Sequence, residues 1–140
     1  MTYDEAFETL LKDGTIYKPP QDVIFDLVDA ILDRSVSMFS LYEESIQSGE
    51  AVLVILTVLY NNARALLQVQ SCDSRSDKEI MKTTGLTHPQ LQGAKKHLKR
   101  YTIEELLQLM DYIRKTEKAV KNGAIEEQYA IEYILVEVLC

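Results

Sequence analysis

The sequence predicts an all-α fold, a compact bundle of seven or eight helices. Apolar residues recur at three- and four-residue spacing along most of the chain, as on the buried face of an amphipathic helix. The five glycines and three prolines fall between these periodic segments, where they act as punctuation. No alternating apolar and polar run bounded by turn residues indicates a strand. Helices that each bury one face against the others satisfy all three observations.

The N-terminal residues predict a short arm that precedes the bundle. Thr2 followed by Glu5 forms a capping-box pattern, which predicts a helix that ends at Leu11. Residues 14–20 then form a connector, because the two consecutive prolines at its end exclude helix before the second of them. We therefore expect residues 1–21 to be an arm and residues 22–140 to be one helical domain.

Three helices are predicted between residues 21 and 70. The first begins at Gln21, and its apolar residues repeat at helical spacing. The second covers residues 36–47 and ends before Gly49, where glycine accommodates a left-handed cap. The third covers residues 51–70. Its start, residues 52–56, has the branched side chains of a buried strand, but the apolar stripe continues over five turns. The length of that stripe favours a buried central helix.

Four more helices are predicted after a polar turn at residues 71–76. They begin at Asp77, Pro89, Ile103 and Glu126. Gly85 ends the first of them, the second is expected to continue to Arg100, and Gly123 ends the third. Thr102 with Glu105 forms a second capping box, which opens the third helix. The buried stripe expected along that third helix consists of Ile103, Leu106, Met110, Ile113, Glu117 and Val120. The last helix is apolar over most of its surface.

Composition bounds the class of protein. The net charge is -7, with 46 % hydrophobic and 26 % charged residues, which is ordinary for a globular domain. The longest apolar run is residues 51–56, or 51–60 if Thr57 is allowed, and both are shorter than the ~20 residues that cross a bilayer. The first eight residues contain acids and no apolar core of a signal peptide. Two cysteines are too few for a disulfide framework. These features predict a cytoplasmic protein without a membrane partner.

The sequence offers no set of residues typical of catalysis. His88 and His97 have no cysteine near them, whereas a zinc site needs four donors at recognisable spacing. No glycine-rich phosphate loop occurs, and Cys72 next to Asp73 lacks the basic surroundings of a reactive thiol. We therefore expect a non-catalytic chain with no metal and no cofactor.

Charge is distributed unevenly along the chain. Residues 82–100 contain five bases and no acid, and four of the bases form one cluster: Lys95, Lys96, Lys99 and Arg100. A local basic patch can contact a polyanion even on an acidic protein, because salt screens charges beyond about 10 Å. These four residues are candidates for facing DNA. The alternative is a solvated, lysine-rich helix face with no partner.

Glu117 interrupts an apolar stripe, and Lys121 follows it one helical turn later. If both side chains are exposed, this order of charges stabilises the helix by ~0.3–0.5 kcal/mol. If they are buried, desolvation makes the pair costly, and the pair would then indicate specificity in helix pairing. The sequence leaves both alternatives open.

Several short motifs follow one another in a fixed order from residue 22 onward. They are Val23 to Ile31, Gly49-Glu50, Arg64 to Leu67, Glu79-Ile80, Gly85-Leu86, Pro89, Lys95-Lys96, Ile103 to Leu107, Glu117, Lys121 and Gly123. In this order the motifs resemble the C-terminal domain of the delta subunit of bacterial DNA polymerase III, a subunit of the clamp loader. No single motif is specific, but their shared order over ~120 residues is.

The resemblance implies a role in assembly. In this family the C-terminal domain belongs to the collar, the ring of helical domains through which delta joins the delta prime and tau/gamma subunits in a pentamer. The pentamer loads the sliding clamp during DNA replication, as part of the DNA polymerase III holoenzyme, a nucleotidyltransferase. Family members also have two AAA+-like N-terminal domains, of which the first grips the clamp. The chain is therefore expected to be a fragment, with residues 1–21 as a remnant of the second domain. Contact with the clamp would need the missing domain, and primer-template DNA would be met through the complex.

Helix faces that stay apolar after the core is filled, such as parts of residues 125–139, are suited to packing against neighbouring collar domains, so we expect the last two helices to carry much of the subunit contact. Glu117 and Lys121 on the first of these helices and Tyr129 and Tyr133 on the second are the candidate interface residues. The alternative function is an autonomous helix-turn-helix DNA-binding protein, with residues 77–100 as the motif. The net charge of -7 argues against that alternative, and so do lysines that come late in the second helix.

Overall fold

The computed structural model describes residues 20–72 and 75–139, which contain seven α-helices and no strand. The helices are α1 (Pro20–Leu32), α2 (Met38–Gln47), α3 (Val52–Ser71), α4 (Asp77–Thr84), α5 (His88–Lys95), α6 (Ile103–Lys121) and α7 (Glu127–Leu139). The predicted all-α class is confirmed. The helix expected over residues 2–11 lies outside the described residues.

Helix α3 lies at the centre of the bundle. It packs most extensively against α6 and also contacts α1, α4, α5 and α7. Its branched N-terminal residues are helical, so the strand alternative for this segment is wrong. By length and composition alone α3 could cross a membrane. In the bundle, however, buried apolar residues occur along its whole length, from Val52 to Val69, so its apolar composition is explained by its central position.

The described residues form two hydrophobic clusters of very different size. The main core joins α1, α2, α3, α6 and α7 and includes the fully buried side chains of Leu27, Leu56 and Ile134. A second, satellite cluster holds the α4–α5 pair on the end of α3 and consists of Val69, Ile80, Leu91 and Ala94. The domain therefore has one large core and one small appended one.

Predicted helix ends agree with the backbone at the capping positions. Gly49, Gly85 and Gly123 have φ between 76° and 79°, the left-handed conformation that glycine adopts without strain. At the start of α6, Thr102 Oγ1 accepts from the Glu105 backbone N–H at 3.0 Å, and Glu105 Oε1 accepts from the Thr102 backbone N–H at 2.9 Å. The predicted capping box is therefore present.

The buried stripe of α6 differs from the predicted one. Its buried residues are Leu106, Leu109, Ile113 and Thr116, whereas Ile103 is exposed and Met110 is only partly buried. Both stripes follow three- and four-residue steps, and they share Leu106 and Ile113. Packing of α6 against both α3 and α7 selects the stripe that contains Leu109, which periodicity alone does not distinguish.

The Glu117–Lys121 pair lies at the edge of this stripe. Lys121 Nζ is 2.9 Å from Glu117 Oε1, and the Lys121 side chain is 60 % exposed against 18 % for Glu117. The lysine ammonium is therefore hydrated, so the alternative of a fully buried ion pair is wrong.

Candidate interaction surfaces

The basic residues at 95–100 do not share one helix face. The helix expected to continue to Arg100 ends at Lys95, and the chain then makes tight turns, with His97 N–H bonded to the Ala94 carbonyl and Arg100 N–H to the His97 carbonyl. Lys99 has φ of 67°, and its N–H donates to Gln70 Oε1 at 3.2 Å. This hydrogen bond to α3 joins residues 29 positions apart, so it is a tertiary contact that the local pattern does not contain.

Acidic side chains offset part of the basic cluster. Lys95 forms a salt bridge with Asp77 at the start of α4, and Arg100 Nε lies 4.0 Å from Asp33 Oδ1. The Lys95 ammonium holds the pKa of the Asp77 carboxyl below its usual value. Lys96 and Lys99 are exposed and form no ion pair with any described residue. Only part of the predicted cluster is therefore available to a polyanion.

His97 is a buried connector between the two parts of the domain. Its ring is 2 % exposed, with Nδ1 2.6 Å from Asp33 Oδ1 and Nε2 3.2 Å from Asp29 Oδ1. Because a carboxylate only accepts, both contacts are hydrogen bonds only when both ring nitrogens carry protons. The sequence shows Asp29 on α1 and Asp33 just after its end, four residues apart, but not that a histidine 64 residues after Asp33 lies between them.

A second polar cluster fastens the start of α6 to the end of α1. Arg34 Nη2 lies 2.6 Å from Glu105 Oε2, and the Arg34 guanidinium carbon lies 4.2 Å from the centre of the Tyr101 ring. The Tyr101 hydroxyl donates to the Ile31 carbonyl at 2.6 Å. Burial raises the pKa of Tyr101 to about 12. The backbone N–H of Thr102 and the Arg34 guanidinium hold the pKa of Glu105 below its usual value.

The α4–α5 pair resembles a helix-turn-helix in its helices and turn, but its second helix lacks the residues that contact DNA bases. Gly85 caps α4, and a capping box of Thr87 with Gln90 starts α5. In DNA-binding motifs of this type, the N-terminal residues of the second helix contact base edges. Here those residues are His88, Pro89 and Gln90, and the Gln90 side-chain oxygen accepts from the Thr87 backbone N–H. The first turn of α5 therefore carries no lysine or arginine for base readout.

The outer face of α7 is an exposed apolar stripe. Tyr129, Tyr133 and Val136 follow one another at four- and three-residue spacing and are 47 %, 52 % and 55 % exposed. They lie opposite the buried residues Ala130, Ile131, Ile134, Leu135 and Val138. A stripe of this kind on a domain surface is typical of a protein–protein contact.

The four predicted interface residues fall into two pairs. Glu117 and Lys121 form an ion pair near the end of α6, whereas Tyr129 and Tyr133 lie on the outer stripe of α7. The α6–α7 hairpin connects the two pairs. Val136 was not among the predicted residues, although its three-residue spacing from Tyr133 already indicated that it lies on the same face.

Comparisons with known proteins agree with this architecture. A model of the family "DNA polymerase III delta subunit, C-terminal domain" matches residues 21–138, whereas no curated protein matches the chain. Among solved structures, the Bacillus subtilis DNA clamp loader delta protein is similar, with a TM-score of 0.76 and 18 % sequence identity over 89 % of this chain. At this identity the likeness shows the fold, and the chain covers 38 % of the length of the Bacillus protein. The family match, which covers most of the chain and confirms the resemblance seen in the sequence, shows that the chain belongs to the family of C-terminal domains of DNA polymerase III delta subunits.

Proposed function

We propose that this domain is the assembly module of a clamp-loader delta subunit, which joins delta prime and tau/gamma in the collar of the complex. Through that complex it would serve the loading of the sliding clamp during bacterial DNA replication, in the cytoplasm. The chain itself contributes contacts and no catalysis. Its role is to hold the neighbouring subunits in the ring.

The outer stripe of α7 is the observation that carries this proposal. Tyr129, Tyr133 and Val136 each expose about half of their surface. The opposite face of α7 is already buried in the main core, so these three side chains are not needed to fill it. Aromatic residues are enriched at protein–protein contacts because they bury a large area with few rotatable bonds. An assembly module needs such a surface, whereas a DNA-binding domain of this size needs a basic one.

The test is assembly with the proposed neighbours. The chain is mixed with purified delta prime and tau/gamma from the same bacterium and analysed by size-exclusion chromatography with light scattering. We expect a stable complex from the unmodified chain. We expect Tyr129→Asp to reduce its yield about tenfold or more, since truncation of a central interface aromatic typically costs ~2 kcal/mol or more. Lys121→Glu, at the edge, should weaken assembly less.

Phe25→Asp is the matched control, because Phe25 on α1 is 55 % exposed and α1 packs on α2 and α3. This variant introduces the same charge at a similarly exposed aromatic, and its complex should elute as the unmodified one does. Thermal unfolding of both variants must stay close to that of the unmodified chain. Co-elution of Tyr129→Asp at full yield would contradict the placement of the interface on α7. Absence of any complex with the unmodified chain would contradict the proposed function.

DNA binding by the isolated chain is the second candidate, which the exposed Lys96 and Lys99 favour. Binding to duplex DNA would weaken with salt by roughly 0.9 log unit per log unit of salt for each phosphate contact. The test is fluorescence anisotropy at low ionic strength, with Lys96→Glu/Lys99→Glu as the variant. We expect a flat titration for both proteins. Salt-sensitive binding that the variant abolishes would favour the DNA-binding alternative.

A further inference from the structure

The groove between α2 and α7 is separate from the outer stripe of α7, although Tyr129 borders both. It is shallow and open to solvent, with a volume of about 340 Å³, and its apolar lining is Tyr42, Ile46 and Tyr129. Tyr42 is buried at its base, whereas Ile46 and Tyr129 each remain more than 40 % exposed. The groove thus presents apolar surface that neither helix covers.

A hydrogen bond between the two walls fixes the width of the groove. The Tyr42 hydroxyl donates to the backbone carbonyl of Gln128 in the first turn of α7 at 2.6 Å. Tyr42 also belongs to the main hydrophobic core, so its ring cannot move without disturbing that core. The two walls are therefore fixed relative to each other before any ligand binds, which lowers the entropic cost of binding.

The rim of the groove is acidic. Glu43 on α2 and Glu132 on α7 line it. Two glutamates lie on α2 and three on α7, and neither helix has a lysine or arginine. The salt bridges among the described residues involve none of these five glutamates. The apolar groove is thus flanked by glutamates that form no salt bridge with any described basic side chain.

We propose that this groove binds a basic amphipathic helix from a neighbouring subunit, a helix whose apolar stripe is flanked by lysine or arginine. An apolar groove takes the apolar face of a helix at i, i+3, i+4 and i+7 positions. Acidic walls on both sides then select basic flanking residues, because like charges across an interface oppose binding. The identity of the supplier as a clamp-loader subunit rests on the proposed function, whereas the chemistry of the helix rests on the groove alone.

Two other occupants fit the charges less well. The N-terminal residues 1–19 contain four acids and two bases, so their net charge has the same sign as the rim. A second copy of this chain could offer its basic segment around Lys96. Each copy carries a net charge of -7, so repulsion between two copies opposes this contact.

The first experiment measures the peptide chemistry independently of the clamp loader. An ~18-residue amphipathic helix of leucine and lysine, and its counterpart of leucine and glutamate, are titrated into the full chain by fluorescence anisotropy. We expect the lysine peptide to bind and the glutamate peptide to bind at least about tenfold more weakly. The double variant Glu43→Lys/Glu132→Lys should lose the preference. Equal binding of both peptides, or an unchanged preference in the variant, would overturn the proposal.

The second experiment uses the proposed neighbours, delta prime and tau/gamma. Glu43→Lys/Glu132→Lys should weaken their association about tenfold and flatten its dependence on salt, since rim charges act chiefly through electrostatic attraction. The control Glu79→Lys/Glu104→Lys makes the same change in net charge on α4 and α6, and its affinity should stay within about twofold of the unmodified chain. Ile46→Ser tests the apolar lining and should weaken association without changing the salt dependence.

The outcomes separate the two proposals. A complex whose affinity and salt dependence are the same in the groove variant would overturn the groove and leave the proposed function standing. No complex at all, together with selective binding of the lysine peptide, would overturn the proposed function and leave the groove standing. Salt-sensitive self-association of the chain that Glu43→Lys/Glu132→Lys abolishes would identify a second copy as the occupant and overturn the proposed partner.

Discussion

The α2–α7 pair and the α4–α5 pair are built differently within one domain. The first pair belongs to the main core, is acidic and leaves apolar side chains exposed. The second is held by a satellite cluster of four buried residues, and the segment from residue 75 to residue 100 contains seven bases and two acids. The pair with more exposed apolar side chains, α2–α7, is thus also the pair that packs on the larger core. A rigid base of this kind lowers the entropy that an interface loses on binding.

The largest expected effect is the loss of stability when a side chain of the main core is truncated, compared with the same change in the satellite cluster. Ile134→Ala in the main core should lower the free energy of unfolding by about 2–5 kcal/mol, as for other buried Ile and Leu truncations. Leu91→Ala, equally buried in the satellite cluster, should chiefly loosen α4 and α5. Urea unfolding gives the global value, and amide hydrogen exchange gives the local one. If Leu91→Ala reduced protection equally in α7, the two cores would be one cooperative unit.

Tyr101, at the junction of the two regions, should make stability sensitive to alkaline pH. Because its pKa is raised to about 12 in the folded domain, its contribution is complete below pH 10 and is lost as the pH rises towards 12. One unit of pKa corresponds to about 1.4 kcal/mol, so about that amount should be lost by pH 11. Tyr101→Phe removes this dependence while also removing the bond to the Ile31 carbonyl. Parallel stability curves for both proteins between pH 9 and 11 would refute the assignment.

The capping boxes of α5 and α6 allow the same substitution beside the satellite cluster and beside the main core. Thr102→Ala at the start of α6 should cost about 1 kcal/mol of global stability, the usual loss for an N-cap. Thr87→Ala at the start of α5 should expose the amides of α5 and change global unfolding less. Thermal unfolding and hydrogen exchange of the two variants make the comparison. Equal shifts in the unfolding temperature would mean that the α4–α5 pair is as tightly coupled to the core as α6 is.

The smallest effect is expected at the Glu117–Lys121 pair. Lys121→Met should lower stability by ~0.3–0.5 kcal/mol, because the lysine side chain is largely hydrated. Lys118→Met is the control, since it removes a charge from the same last turn of α6. A loss above about 1 kcal/mol for Lys121→Met alone would indicate that the pair is effectively buried.

Helix positions followed from the sequence, whereas most of the side-chain contacts between helices did not. Capping residues act over three or four positions, so Thr102 with Glu105 and Gly85 could be interpreted locally. The contact of His97 with Asp29 and Asp33 joins residues more than 60 positions apart. Periodicity contains no information on such pairs. The same holds for Lys99, beyond the end of α5, which donates its backbone N–H to Gln70 of α3.

By itself the sequence determined the all-α class, the order of the helices and the family resemblance, because periodicity, caps and motif order are properties of neighbouring residues along the chain. It also indicated that α7 has more apolar surface than one buried face needs. Only the tertiary structure decided which stripe of α6 is buried and that Lys95 pairs with Asp77. It also decided that α2 and α7 enclose a groove with an acidic rim. These features depend on which helix faces meet, and the packing of the whole bundle determines that.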